Sequence, residues 1–197
     1  MRMLVLSSAV ALGLCACAHP AGPAPPVAAP PPATSPACSA PEFRQLDFWL
    51  GQWDVVLHAR KAPEIDEWDE AHGTQRIESI LSRCAIAESF AADGPGGAWA
   101  GRSYSSWQPQ AGKWRQTWVD DQGSYLAFVG GLEHGVMTLY GEKRLLPDGT
   151  EVQMRMLWLD VTPRSLHWEW QRSTDAGQTW MPMLKIDYRR RAEAAPR

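Results

Sequence analysis

The chain has 197 residues, enough for one sizeable domain with a tail, and its formal net charge is -3. That balance offers no electrostatic case for nucleic acid, which calls for a basic face. The 11 Trp, 16 Gly and 16 Pro favour strands joined by tight turns over long helices.

The first element, "MRMLVLSSAVALGLCACAHP", has the form of an export signal. Arg2 supplies a short positive start, and residues 4–14 form an apolar run too short to span a bilayer as a mature helix. The stretch "LCAC" resembles the lipobox of bacterial lipoproteins, with Leu14 and Ala16 placed so that Cys17 becomes the lipidated residue. Ordinary cleavage after "ACA" is the alternative, and it would release a soluble periplasmic protein. Residues 18–37, "AHPAGPAPPVAAPPPATSPA", have no apolar periodicity and no charge apart from His19. Such a segment cannot bury enough surface to offset its ordering entropy, and it reads as a polyproline tether rising ~3.1 Å per residue. The expected layout is a signal peptide at 1–16, a lipid-anchor Cys and tether at 17–37, a β-barrel domain at 38–192 and a tail at 193–197. The expected location is the bacterial envelope, anchored by lipid and facing the periplasm.

Cysteine usage fits that location. Cys15 leaves with the signal and Cys17 carries lipid, so Cys38 and Cys84 remain as one pair in an oxidising compartment. Chain entropy assigns a bridge closing residues 39–83 roughly 4 kcal/mol.

From residue 39 onward strand signals are dense. "QLDFWLGQWDVVLHA" opens with a short helical turn and runs into a strand. "GTQRIESILSRCAIAESF" supplies one long strand or two. "AWAGRSYSSWQ", "KWRQTWVDD", "SYLAFVGG", "GVMTLYGEKR", "EVQMRMLWLD", "SLHWEWQRS" and "TWMPMLKIDYRRR" follow, separated by short turns rich in Gly, Pro and Asp. The acidic "PEIDEWDEAHG", residues 63–73, reads as a solvated loop over a barrel mouth, since its carboxylates lack the spacing of a calcium loop. Regular short strands with tight turns predict an all-β fold, an antiparallel meander β-barrel of about ten strands.

Two motifs have fold-level meaning. "FWLGQWDV" places Gly51 and Trp53 in a G-x-W on the first strand after a helical turn, which resembles the signature of the calycin superfamily of lipocalins and fatty-acid-binding proteins. That resemblance implies a barrel whose Trp closes one end beneath a basic residue of the last strand. Leu184, Ile186, Tyr188 and Arg190 share one face of that strand, so Arg190 is the residue expected over Trp53. "STDAGQTW" matches the Asp box of sialidase propeller blades. One box in a chain this short argues against a propeller. Asp175 then serves as an acceptor for turn amides, Gly177 supplies a positive φ, and Trp180 packs back on the sheet. Together, "DFWLGQWDV", "CAIAES", "WRQTWVDDQGSYLAFVGG" and "STDAGQTW…IDYRR" resemble a group of exported, lipocalin-like bacterial proteins of unknown function. That likeness implies the barrel and no activity.

Chemistry must come from side chains facing the lumen. In "KWRQTWVDD", Lys113 and Arg115 belong in water, so Trp114, Gln116 and Trp118 face inward. In "CAIAESF", Glu88 shares a face with Cys84, Ile86 and Phe90, and a carboxylate there needs a partner, for which Arg102 and Gln116 are candidates. In "GRSYSSW", either Ser103 and Ser105 or Arg102 and Tyr104 point inward. The candidate ligand-binding residues are therefore Glu88, Arg102, Tyr104, Trp114, Gln116 and Trp118. His19, His58, His72, His134 and His167 lack metal-ligand spacing, no catalytic motif is present, and no cofactor or metal is implied. The leading function is binding a small apolar or amphipathic molecule in a Trp-rich lumen. The alternatives are a hydrolase or isomerase using Glu88 as acid or base, with Glu78 as a paired carboxylate in a glycosidase version, and a filled barrel acting through its surface.

Overall fold

A computed structural model describes residues 38–192. The signal peptide, Cys17, the tether and the tail expected at 193–197 lie outside the described residues.

The chain enters through two short 3-10 turns, Pro41–Arg44 and Asp47–Trp49. Their apolar residues Phe43, Leu46 and Trp49 are buried, so the segment acts as a plug. Eleven strands follow: β1 (Gly51–Arg60), β2 (Trp68–Ile80), β3 (Ala85–Gly94), β4 (Gly97–Gln108), β5 (Lys113–Asp120), β6 (Tyr125–Glu133), β7 (Val136–Gly141), β8 (Arg144–Leu145), β9 (Glu151–Leu159), β10 (Ser165–Ser173) and β11 (Met181–Arg190). They form one antiparallel sheet. Each strand pairs with the next, β7 passes over the two-residue β8 to β9, and β10 meets both β9 and β11. Because β11 also pairs with β1, ten strands close a barrel and β8 is an extra edge on β9. Closure removes the open sheet edges that would otherwise seek partners.

The stretch "GTQRIESILSRCAIAESF", expected as one long strand or two, is two. β2 and β3 are joined by Leu81–Cys84, where Leu81, Ser82 and Arg83 all have positive φ. Three consecutive non-glycine residues in that region are costly and must be held by their surroundings. The disulfide between Cys84 and Cys38 ties this turn to the plug. Arg83 Nη2 adds an ion pair with Asp47 at 3.0 Å, and Arg44 donates to the Arg83 carbonyl. The acidic segment is shorter as a loop than expected. β2 begins at Trp68, so only residues 61–67 turn between β1 and β2. Trp68 is fixed there by the Arg60 guanidinium at 4.5 Å and the Lys185 ammonium at 4.7 Å from its ring.

Alternation sorts the faces. Trp53, Val55 and Leu57 on β1, Ile86 and Phe90 on β3, and Leu184, Ile186 and Tyr188 on β11 are buried in one core. The plug end is sealed by the G-x-W motif. Trp53 is fully buried, donates from Nε1 to the Trp49 carbonyl at 2.8 Å, and lies 4.0 Å beneath the Arg190 guanidinium. Arg190 also donates to the carbonyls of Phe48, Leu50 and Pro163. A Cβ on Gly51 would sit 2.3 Å from Arg190 Nη1, and Gly51 has φ +127, so this position accepts only glycine without displacing the arginine.

The Asp-box segment is a hairpin device on the β10–β11 turn. Asp175 accepts from the Thr179 amide at 2.9 Å, from the Thr179 hydroxyl at 2.6 Å and from the Ser173 hydroxyl at 2.8 Å. These bonds hold its carboxyl down at about 2. Gly177 has φ +86, and Trp180 packs against Tyr140 and beneath the Arg155 guanidinium, 4.2 Å from its ring.

Candidate functional site

The inner wall between the plug and the opposite end encloses a cavity of about 220 Å³. It is placed by period-2 alternation, which turns aromatic residues of β3, β4, β5, β6, β9, β10 and β11 inward. Phe90 on β3, Trp99 on β4 and Trp118 on β5 meet edge to face, with centroids 4.7, 5.8 and 5.7 Å apart. Trp158 on β9 and Trp168 on β10 contact one another at 6.5 Å, and Trp158 reaches Trp49 of the plug at 5.3 Å. Gly101 makes room for this wall: a Cβ there would lie 2.1 Å from the Trp118 ring.

Polar groups enter the cavity as a short row across neighbouring strands. Glu88 on β3 stands directly opposite Ser103 on β4, and Gln116 on β5 directly opposite Ser105. One Glu88 oxygen accepts from Gln75 Nε2 at 2.8 Å and the other from the Ser103 hydroxyl. Gln116 Nε2 donates to Ser105 Oγ at 3.0 Å. Glu88 is only 5% exposed. Burial pushes its carboxyl up to about 7, against the smaller opposing effect of the Ser103 hydrogen bond. Tyr188 lies in the same wall, and burial together with the Glu88 charge raises its hydroxyl well above the usual range. A carboxyl poised near neutrality can donate a hydrogen bond when protonated, accept when ionised, or pass a proton to a bound molecule.

The far end opens. Asp120, Gln122 and Ser124 of the β5–β6 turn line the rim of the cavity. Asp120 accepts from Trp118 Nε1 at 2.9 Å and from the amides of Gln122 and Ser124. Burial acts to raise its carboxyl, and these bonds outweigh it and hold the group at about 2. Beyond the rim a second space of about 480 Å³ shares Trp99, Gln122, Trp170 and Leu184 with the first, and is bounded by the β3–β4 hairpin at Gly94–Gly97.

Of the six candidate ligand-binding residues, the structure brings Glu88, Gln116 and Trp118 to the cavity. Trp114 faces inward but is packed at the plug, where its Nε1 donates to Gln45 Oε1 at 3.0 Å. Arg102 and Tyr104 are corrected. They point to solvent, Tyr104 being 56% exposed, because Ser103 and Ser105 take the inward positions of β4 at 1% exposure. Neither Arg102 nor Gln116 is the partner of Glu88; Gln75 and Ser103 are. Glu78 does not pair with Glu88, since Glu78 lies on the outer face, bonded to Arg76 at 2.7 Å. The sequence reading missed Gln75, Tyr188 and the Trp residues of β4, β9 and β10. Gln75 had a usable signal, as it alternates with Ala71, Gly73 and Ile77 while Glu70, His72, Arg76 and Glu78 take the other face. Among the described residues no cluster of His, Cys, Asp and Glu could hold a metal ion.

Comparison with solved structures returns barrels. An S-type phycobiliprotein lyase from Guillardia theta matches with a TM-score of 0.50 and 9% identity, over 76% of this chain and 92% of that one. A fluorescence-activating β-barrel of de novo design matches with a TM-score of 0.41 and 12% identity, over 74% of this chain and 95% of that one. At such identities the likeness to the lyase is one of fold. No curated protein sequence matches the chain. The model of a family described as "Protein of unknown function (DUF1579)" matches residues 39–190, from the plug through the last barrel strand, and the chain therefore belongs to the DUF1579 family.

Proposed function

We propose that this protein binds a small apolar or amphipathic molecule in its barrel lumen, as a lipid-anchored protein of the bacterial envelope facing the periplasm. The observation that supports binding is the enclosed cavity of about 220 Å³, walled by aromatic rings, provided with one short polar row and open at one end. A barrel serving only as a surface scaffold would fill that space with side chains. The anchor rests on "LCAC" and the Pro/Ala-rich run that follows it, since lipidation of Cys17 would hold the domain to a membrane by a spacer. Soluble release into the periplasm is the alternative.

The binding reading is tested by native mass spectrometry of protein purified from a bacterial periplasm, followed by denaturation and analysis of the extract. A stoichiometric adduct lost on denaturation supports it. A bare mass, together with no binding of apolar probes, removes it. The anchor is tested by the mass of the mature N-terminus: diacylglycerol on Cys17 supports it, and cleavage after Ala18 replaces it with the soluble form.

A second reading has its own observation. Glu88, raised to about 7 beside a cavity, has the acidity of an acid–base catalyst. On that reading Glu88→Gln abolishes turnover of the bound molecule while binding persists. Turnover unchanged in that variant removes Glu88 from the chemistry.

A further inference from the structure

The charges around the lumen narrow its ligand. The cavity lining contains no Lys, Arg or His; its ionisable groups are Glu88 deep inside, Tyr188 beside it and Asp120 at the rim. The outer space adds Asp69 and Asp93 against Arg172, so carboxylates outnumber cations there too. A barrel that holds an anionic lipid must supply a cation where the head group rests, because a buried carboxylate without one is costly. This lumen offers a second carboxyl instead, with Gln75 and Ser103 already donating to it. If Glu88 is ionised, an incoming anion meets like charge. If it is protonated, the anion is still buried without a counter-ion.

The walls add a shape preference. Phe90, Trp99 and Trp118 lock one another edge to face, as do Trp158 and Trp168, and a flat ring stacks on their exposed faces better than a flexible chain fills the gaps between them. A protonated Glu88 can donate to an oxygen, and Gln116 of the same wall presents an amide.

We propose that the lumen selects an uncharged, ring-bearing molecule whose single polar end, a hydroxyl or carbonyl, seats on the row formed by Gln75, Glu88 and Gln116. The inference rests on the ligand-binding reading above. It turns away fatty acids, for want of a cation beneath the carboxylate. It turns away organic ammonium ions as well, because burial holds the deep carboxyl of Glu88 toward its neutral form, which offers no full counter-charge.

The test uses the full-length protein and a matched set of probes on one ring: 2-naphthylmethanol, 2-naphthoate and 2-naphthylmethylammonium, with 1-decanol as an uncharged chain. Quenching of tryptophan fluorescence reads each Kd. 2-Naphthylmethanol is expected to bind at least tenfold more tightly than 2-naphthoate and than the ammonium, and more tightly than 1-decanol. Glu88→Gln is expected to narrow the gap between alcohol and naphthoate without closing it, because the like charge is gone while the cavity lining still holds no counter-ion. Equal or tighter binding of naphthoate or of the ammonium overturns the inference and leaves the ligand-binding reading standing. A tighter decanol does the same for the ring preference. If the gap in Glu88→Gln is as wide as in the wild type, the selection does not come from this row and the assignment fails. If no probe binds at millimolar concentration, the ligand-binding reading itself fails, and the inference fails with it.

Discussion

Glu88 is the residue on which stability and site chemistry meet. Its carboxyl is held at about 7 in the folded protein against an ordinary value of 4.5. Between those two pH values the folded chain keeps a proton that the unfolded chain has released. Stability therefore falls as pH rises through that window, and Glu88 alone accounts for about 3 kcal/mol over it. Urea denaturation at pH 5 and pH 8 should show this fall, and Glu88→Gln should remove it, the new amide oxygen accepting from Gln75 and its nitrogen donating to Ser103 Oγ. A wild-type slope that survives the substitution places the titration elsewhere. Asp175 has the opposite sign. Its carboxyl is lowered to about 2, so the turn it caps is supported above the unfolded value of 3.8 and loses that support as pH falls toward 2. Asp175→Asn should lower the melting temperature at pH 6 and lower it much less at pH 2. Alternation along "CAIAESF" was sufficient to turn Glu88 inward. Its partners were not legible, because Gln75 and Ser103 arrive from strands whose register only the folded sheet sets.

The plug and its latch form an element with separable parts. Arg190 joins β11 to the plug through the Phe48 and Leu50 carbonyls and the Trp53 ring, and to the β9–β10 turn through the Pro163 carbonyl, and Gly51 must lack a side chain for it to do so. Arg190→Ala strands those acceptors and should cost roughly 2–4 kcal/mol, read from the denaturation midpoint at constant m. Gly51→Ala should cost about as much by displacing the same guanidinium, and the double variant should lose much less than the sum. The bridge between Cys38 and Cys84 holds the plug to the left-handed turn after β2. Replacing both cysteines with serine should cost roughly 2–5 kcal/mol while leaving the barrel folded, checked by circular dichroism. The latch was readable because G-x-W and the period-2 face of β11 are both local patterns. The strained turn was not, since "LSRC" carries no glycine to announce positive φ.

For the whole molecule the question is what closes the barrel and what keeps it from filling. β7 bypasses the two-residue β8 to pair with β9, a step visible only in the sheet order. The sequence reading of "GVMTLYGEKR" as one strand runs across a break: β7 ends at Gly141, and pairing with β9 resumes at Arg144 in β8. The cavity persists because rings meeting edge to face cannot collapse into the space between them. Filling it should therefore be feasible from one glycine. Gly101→Val would force the Trp118 ring, 2.1 Å from a Cβ at that position, into the lumen. Such a variant should stay folded at a cost of about 1–3 kcal/mol and lose at least tenfold in affinity for 2-naphthylmethanol, measured by the same fluorescence quenching.

By itself the sequence determined the all-β class, the approximate strand count, the closing latch of Trp53 and Arg190, and which face of most strands turns inward. The class, the strand count and the inward faces follow from short-range periodicity and turn chemistry, which a strand carries wherever it sits, while the latch was implied by the calycin resemblance of the G-x-W, with alternation choosing Arg190. Pairing of Cys38 with Cys84 followed from counting. Only the tertiary structure decided between Ser103 and Arg102 on β4, where both faces bear polar residues and alternation gives no sign. Only the closed barrel brought Gln75, Glu88 and Tyr188 from β2, β3 and β11 into one wall and left a space between them and the tryptophans. A cavity is a property of strand register and ring orientation around the whole circumference, and no local stretch of sequence encodes it.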